Sequence, residues 1–142
     1  IAYTARGLLE SGALLGEDRY VDSARRCADA ALGLMAGDGF LPGQISVEGE
    51  SAARYCCLTG NCQFAIVWIR LFDLTGDERY RQAAIRALDY VMERQDIHTP
   101  DASVRGAIQG SFPIWGGYAP FSYPNWPAKF FIDALSLRAR WT

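Results

Sequence analysis

Three carboxylates lie in one glycine-rich stretch and are the strongest candidates for acid–base chemistry in the sequence. Asp38 stands between two glycines, and Glu48 and Glu50 flank a third glycine in the same stretch. Two carboxylates that face one cleft can serve as the acid and the base or nucleophile of glycoside hydrolysis. The same residues could have structural roles instead. An Asp between glycines favours a turn after a helix, and the two Glu side chains favour a solvated loop. Asp38, Glu48 and Glu50 are therefore the predicted catalytic residues.

Four further polar residues are candidates for ligand contacts. Arg54 could clamp a carboxylate or phosphate of a ligand, or form a structural ion pair. Asn61 opens an apolar stretch and suits the N-cap of a helix, whereas Gln63 interrupts that stretch and indicates a polar contact in a cavity. Lys129 stands among apolar residues, and its ammonium could contact a ligand or reach past them to the surface.

Aromatic side chains crowd the stretch 112–126, which holds six of them among proline and glycine residues. Aromatic faces stack on sugar rings and also line apolar ligand pockets. The same residues could instead fill one end of the fold with a core of their own. The predicted binding residues in this stretch are Trp115, Tyr118, Tyr123 and Trp126.

Composition and charge exclude several classes of protein. The chain has 142 residues, which suits one domain, with 50% hydrophobic and 21% charged residues, as in folded proteins. A net charge of −2 disfavours a general electrostatic grip on nucleic acid or anionic lipid. The longest apolar run, residues 64–69, is far shorter than the ~20 residues that a membrane helix needs. Neither a nucleic acid nor a membrane is an expected partner.

The cysteines favour free thiols. Cys27, Cys56, Cys57 and Cys62 include an adjacent pair, which is poorly suited to a mutual disulfide. Free thiols are typical of a reducing compartment, so we expect a cytoplasmic protein. Zinc ligation by three of these cysteines with His98 matches no standard spacing. We expect no metal and no other cofactor.

An internal repeat with an offset of 60 residues dominates the sequence. Residues 14–20 (LLGEDRY) align with residues 74–80 (LTGDERY), and further matches at the same offset are Ala5 with Ala65, Ala24 with Ala84, Arg26 with Arg86 and Asp29 with Asp89. Gly16 and Gly76 suit helix ends, since glycine adopts positive φ at little cost. Acidic residues follow each glycine and suit the first turn of the next helix. Each copy therefore predicts a helix, a tight turn and a second helix.

Hydrophobic periodicity extends this pattern to five helices, at 1–14, 18–36, 61–75, 78–95 and 126–140, with no strand. The first, third and fifth are apolar nearly all round, whereas the second and fourth are amphipathic. The sequence thus predicts an all-α fold, an array of α/α hairpins with inner and outer layers. The long connections 37–60 and 96–125 should lie at one end, beside the N-termini of the inner helices. Those N-termini favour an anionic or hydroxyl-rich ligand.

This pattern resembles the α/α toroids, in which hairpins close into a ring of inner and outer helices. Residues 57–61 (CLTGN) and 110–118 (GSFPIWGGY) look like loops at the end of such a ring. Six-hairpin glycosidases, polysaccharide lyases, sugar epimerases, terpenoid cyclases, protein prenyltransferases and lanthionine cyclases share this plan. The resemblance implies that residues 1–142 form one hairpin domain that is smaller than a full ring, so either they are the C-terminal part of a longer ring or other subunits complete the surface. An uncovered apolar flank would then favour homo-oligomers.

The resemblance implies a carbohydrate-active or carbohydrate-binding protein, whose ring-end cleft carries the aromatics and carboxylates named above. If catalytic, it would be a glycoside hydrolase or a polysaccharide-processing enzyme. A second hypothesis is a terpenoid-cyclase-like or prenyltransferase-like toroid, in which aromatics line an apolar cavity and stabilise a cationic intermediate. A third is a non-catalytic helical-repeat interaction module. The first hypothesis expects a small-molecule or oligosaccharide ligand.

Overall fold

Five α-helices form the framework of the protein in residues 1–141, which the computed structural model describes. In chain order they are α1 (Ala2–Leu15), α2 (Asp18–Leu34), α3 (Leu58–Thr75), α4 (Glu78–Met92) and α5 (Asn125–Arg138), and a short 3-10 helix (Ala139–Trp141) follows α5. The predicted all-α fold of about five helices is confirmed. No helix of residues 1–141 is long and apolar enough to cross a membrane.

Two short strands correct the expectation of a strand-free chain. They are β1 (Cys56–Cys57) and β2 (Ser111–Phe112), which pair antiparallel. Each has only two residues, too few to show an alternating pattern in the sequence. The pair joins the two long connections directly before α3. Beside it, the N–H of Leu58 donates to the carbonyl of Gly110 (3.1 Å), which adds a further hydrogen bond at this junction.

The two hairpin turns follow the repeat as predicted. Gly16 and Gly76 end α1 and α3 with φ of 68° and 69°, and the N–H of each bonds back to its helix. Asp18 and Glu78 then lie in the first turns of α2 and α4, where their charges complement the helix dipole. The repeat thus corresponds to two successive α/α hairpins.

Helix α3 lies at the centre of the fold and is buried on all sides. Every residue from 61 to 69 is at most 4% exposed. The indole Nε1 of Trp68 donates to the carbonyl of Ala28 in α2 (3.2 Å), and Arg70 pairs with Glu10 of α1 (3.1 Å). The prediction that this helix has no polar outer face is confirmed.

Helices α1 and α5 meet beside α3 and cover it. The rings of Tyr3 and Phe130 pack edge to face at 5.5 Å, and Arg6 lies 3.9 Å from Asp133. Both helices carry exposed apolar side chains, notably Leu14, which is 85% exposed. The self-association expected from such side chains stays a prediction.

The long connections are packed together at the N-terminal end of α3, as predicted. The ring of Tyr55 lies against the backbone of Gly43 and Gly116, so closely that a Cβ at either glycine would come within 2.7 Å of Tyr55. The hydroxyl of Ser111 donates to the carbonyl of Tyr118 (2.6 Å) and accepts from its N–H (3.1 Å). These contacts join both connections into one layer over the helix ends.

The turn after α2 is locked onto α4. Gly39 has a φ of 91°, and a Cβ there would lie 2.2 Å from the carbonyl oxygen of Arg86. The side-chain amide of Asn61 donates to the carbonyls of Gly39 (3.2 Å) and Ala87 (3.0 Å). Asn61 therefore ties this turn to α3 and α4, and the prediction that it caps a helix is wrong. Cys57 is the N-cap of α3.

We expect Gly39→Ala to destabilise the fold by about 3 kcal/mol, since the new Cβ meets both an unfavourable φ and the Arg86 carbonyl. Gly7→Ala is the matched control, because Gly7 lies in α1 with open space around it. That substitution should stabilise the protein by about 0.5–1 kcal/mol. Urea unfolding measures both values. Equal stability of Gly39→Ala and the parent protein would contradict the packing described.

Tyr80 should make the fold sensitive to alkaline pH. Burial and the bond from its hydroxyl to Asp29 (2.8 Å) raise the pKa of Tyr80 from 10 to about 12. The native state therefore holds this proton more tightly than the unfolded state. The resulting stability is complete below pH 10 and is lost as the pH rises from 10 towards 12, by about 1–3 kcal/mol.

Tyr80→Phe should cost about 1 kcal/mol at pH 7 and reduce the alkaline loss. Burial also raises the pKa of Tyr90 to about 12, so part of that loss should remain. Tyr20→Phe is the control from the first repeat, since Tyr20 bonds only to the neighbouring Arg19 among residues 1–141. Unfolding curves from pH 7 to 11 test this. A parallel loss in all three proteins would refute the role of Tyr80.

Candidate functional site

A cavity of about 480 Å³ lies at the N-terminal ends of α1 and α3. One wall is the start of α1, the opposite wall is the first two turns of α3, and the connection after α2 forms the rim. Its lining residues are Ile1, Ala2, Tyr3, Leu41, Pro42, Gly43, Gln44, Ile45, Ala52, Cys57, Thr59, Gly60, Asn61, Gln63, Phe64 and Tyr118. The long connections and the inner helices thus enclose the site together, as expected.

The wall of this cavity carries no charged side chain among the described residues. Aliphatic groups such as Leu41 and Ile45 alternate with amides, a hydroxyl and the rings of Tyr3 and Tyr118. Concave, mostly apolar surfaces with a few polar groups are typical of small-molecule sites. Such a wall suits an uncharged ligand, because no side chain on it could neutralise a charge.

Gln63 is the most informative residue of the wall. Its side chain is 2% exposed, its Nε2 is buried, and no residue from 1 to 141 forms a hydrogen bond with its amide. Asn61 Oδ1 is also buried and unpartnered on the first turn of α3, whereas the buried hydroxyl of Thr59 lies beside the sulfur of Cys57. An unpaired buried amide or hydroxyl costs about 1–3 kcal/mol. Buried polar groups of this kind bond to ordered water or to a ligand, so this wall is a candidate binding surface.

The thiols near the cavity are neutral. Burial raises the pKa of Cys57 above its ordinary value, although the N–H groups of Gly60 and Thr59 and the hydroxyl of Thr59, all beside the sulfur, act in the opposite direction. Burial also raises the pKa of Cys56 to about 12. Cys57 is therefore a hydrogen-bonding cap rather than a nucleophile at neutral pH. Within residues 1–141 no cluster of three or more His, Cys, Asp or Glu could hold a metal ion.

The N-terminus of α3 is partly occupied by the protein itself. The sulfur of Cys57 accepts from the N–H of Gly60 (3.3 Å), and the N–H of Leu58 bonds to Gly110. These two N–H groups cannot attract an anion, contrary to the expectation of free groups at this helix end. The site is thus less favourable to anions than the sequence indicates.

The three predicted catalytic carboxylates lie outside the cavity wall. Asp38 accepts from the N–H of Phe40 (3.0 Å) in the turn after α2. Glu48 and Glu50 are exposed at the tip of a loop, where the hydroxyl of Ser46 accepts from both of their N–H groups. The structure therefore places all three in turn or loop positions and does not bring them together with Asn61 and Gln63.

Of the predicted binding residues, only three line the cavity: Asn61, Gln63 and Tyr118. Trp115 and Trp126 are 59% and 49% exposed, and Tyr123 is also exposed. Arg54 lies on the surface, and the ammonium of Lys129 pairs with Asp133 of its own helix. These five residues stand outside the cavity wall.

Sequence reasoning missed several residues of the wall, above all Thr59 and Tyr3. Thr59 precedes Gln63 by four residues, one helical turn, and this spacing was a usable signal. It was hidden because the helix was expected to begin at residue 61. Nothing in the sequence marks Tyr3, Leu41 or Ile45 as neighbours, since they come from separate segments.

Comparison of the chain with protein-family models, with curated proteins and with solved structures finds no match to any of them. The fold and the cavity define an all-α protein of five helices with an uncharged, partly polar pocket. Its resemblance to the α/α toroids stays a prediction.

We expect Gln63→Met to stabilise the protein without ligand by about 1–2 kcal/mol, because an apolar side chain of similar length removes the unpaired amide. Gln82→Met is the control, since Gln82 is exposed on α4 and should change stability by less than about 0.5 kcal/mol. Urea unfolding measures both. A loss of stability in Gln63→Met would show that its amide is satisfied in the native protein.

Proposed function

We propose that this protein binds a neutral carbohydrate in the cavity at the N-terminal ends of α1 and α3. The observation that carries the proposal is the buried amide of Gln63, which lacks a partner among residues 1–141 and stands in a wall without charge. A carbohydrate ligand would supply the missing hydrogen bonds and bring no charge into the site.

Sugars suit the chemistry of this wall. A hydroxyl both donates and accepts, so sugar hydroxyls suit both the N–H groups and the oxygen of the Gln63 amide. The apolar face of a sugar ring packs well on aromatic surfaces such as Tyr118 and Phe64. The cavity volume, about 480 Å³, is in the usual range for small-molecule sites.

Binding is better supported than hydrolysis. Glycoside hydrolysis needs two carboxyl groups on either side of the scissile bond. No carboxylate of residues 1–141 lines the cavity, and Asp38 serves as a turn residue. We therefore assign the site a binding role, within the α/α-toroid plan that the sequence resembles.

The other hypotheses have less support. A prenyl diphosphate ligand needs cationic or metal-binding groups near its phosphates, and the described wall offers no charged side chain. An interaction module would use the exposed aromatics of residues 112–126. It leaves the buried amide of Gln63 without a role.

The test is isothermal titration of the protein with neutral saccharides, acidic saccharides and farnesyl diphosphate. We expect saturable binding of a neutral saccharide alone. At about 100 times its dissociation constant, this ligand should stabilise the fold by about 2.7 kcal/mol. Gln63→Met should weaken binding at least about tenfold, whereas Gln82→Met should bind as the parent protein does.

Binding of farnesyl diphosphate in place of sugars would favour the terpenoid hypothesis instead. Equal sugar affinity of Gln63→Met and the parent would place the binding site elsewhere. The variant Glu48→Gln with Glu50→Gln should leave sugar affinity unchanged, since both side chains lie outside the wall.

A further inference from the structure

A second concavity, of about 470 Å³, lies between the outer helices α2 and α4. Leu32 of α2 contributes to its lining, and the other lining residues come from α4: Glu78, Arg79, Gln82 and Arg86. Arg79, Gln82 and Arg86 are three and four residues apart, so they share one face of α4. This outer groove is separate in its lining residues from the cavity described above.

Arg86 is the unusual residue of the outer groove. It is half-buried, its Nε is buried without a hydrogen bond, and no acidic residue from 1 to 141 pairs with its guanidinium. Other partly buried arginines of this protein have acidic partners. Arg70 lies 3.1 Å from Glu10, and Arg138 lies 3.2 Å from Asp89.

A partly desolvated cation without a counter-charge is costly, so Arg86 indicates an anion that binds beside it. The planar guanidinium has five N–H donors in a fork that matches two oxygens of a phosphate or carboxylate. The other donors of the groove suit the same ligand. Gln82 lines the groove, and within residues 1–141 the guanidinium of Arg79 uses only Nε and one terminal nitrogen on Asp77.

Among the residues that the structure describes, Glu78 is the single acidic side chain that lines the outer groove. Its carboxylate pairs with Arg81 (3.5 Å) and is largely exposed. Water and Arg81 therefore weaken its repulsion of an anion. The guanidinium groups of Arg79 and Arg86 and the amide of Gln82 have more N–H donors than the two oxygens of a carboxylate ligand can accept. A phosphate ligand offers three oxygens and up to two negative charges.

We propose that the outer groove binds a phosphate group, held by Arg86 with support from Arg79 and Gln82. The ligand is inorganic phosphate or the phosphate of a small organic molecule, since both present the same group. This inference does not depend on the carbohydrate site.

The experiment is isothermal titration of the protein at constant ionic strength with inorganic phosphate, glycerol phosphate and acetate. We expect saturable binding of one or both phosphates and at least about tenfold weaker binding of acetate. Arg86→Gln should weaken phosphate binding at least about tenfold, and Arg79→Gln should weaken it less. Preference between the two phosphates identifies the source of the group.

Arg26→Gln is the matched control, because Arg26 occupies the position of Arg86 in the first repeat and bonds only to Ser23 among the described residues. It should bind phosphate as the parent protein does. Since Arg86 has no bond to lose, the melting temperature of Arg86→Gln should not fall. The proposal is overturned by absence of saturable phosphate binding, by acetate binding as tightly as phosphate, by unchanged affinity in Arg86→Gln, or by equal weakening in Arg26→Gln.

Discussion

Burial of helix α3 is the constraint on which the rest of the structure depends. Residues 61–69 have almost no exposed surface, so every side of this helix needs a neighbour. Helices α1, α2, α4 and α5 provide those neighbours, and the pairing of α1 with α5 completes the cover. Apolar burial of this extent is the main favourable term in folding. Because α3 cannot move without exposing this surface, the residues on its first turns are held in fixed positions.

Both long connections are ordered by contacts with this helix end. The β1–β2 pair, the ring of Tyr55 between two glycines, and the bonds of Ser111 to Tyr118 keep them in place. Loops of this length are commonly functional when they are ordered. Here they form the rim of a cavity whose floor is α3. The amide of Gln63 is thereby held in a fixed position on the wall of this cavity.

The sequence predicted the parts of the fold that depend on local signals. The repeat and its glycines placed both hairpin turns, and the run 64–69 identified the buried helix. The start of α3 was missed, because its cap is Cys57, which is not among the usual N-cap residues. The two strands were missed because their pairing joins residues more than fifty positions apart.

The candidate site was predictable only in part, because some of its residues come together only through tertiary packing. Gln63 stood out because a polar residue in an apolar helix needs an explanation. Residue type alone singled out the carboxylates of Asp38, Glu48 and Glu50. Carboxylates are as common in turns and exposed loops as they are in catalytic sites. Tyr3 and Leu41 reach the cavity through tertiary packing, which one sequence does not reveal. Whether Arg86 has an ionic partner likewise depends on which acidic residues the fold places beside it.

The two hydrogen bonds of Asn61 have a mechanical consequence. Its amide donates to the carbonyl of Ala87, and the adjacent carbonyl of Arg86 lies against Gly39. The rim of the inner cavity and the charged face of the outer groove are thus attached to the same turn of α4. Sliding α4 along its axis would displace both concavities at once. The rim of the inner cavity and the outer groove therefore share one anchoring point, the turn of α4 that holds Arg86 and Ala87.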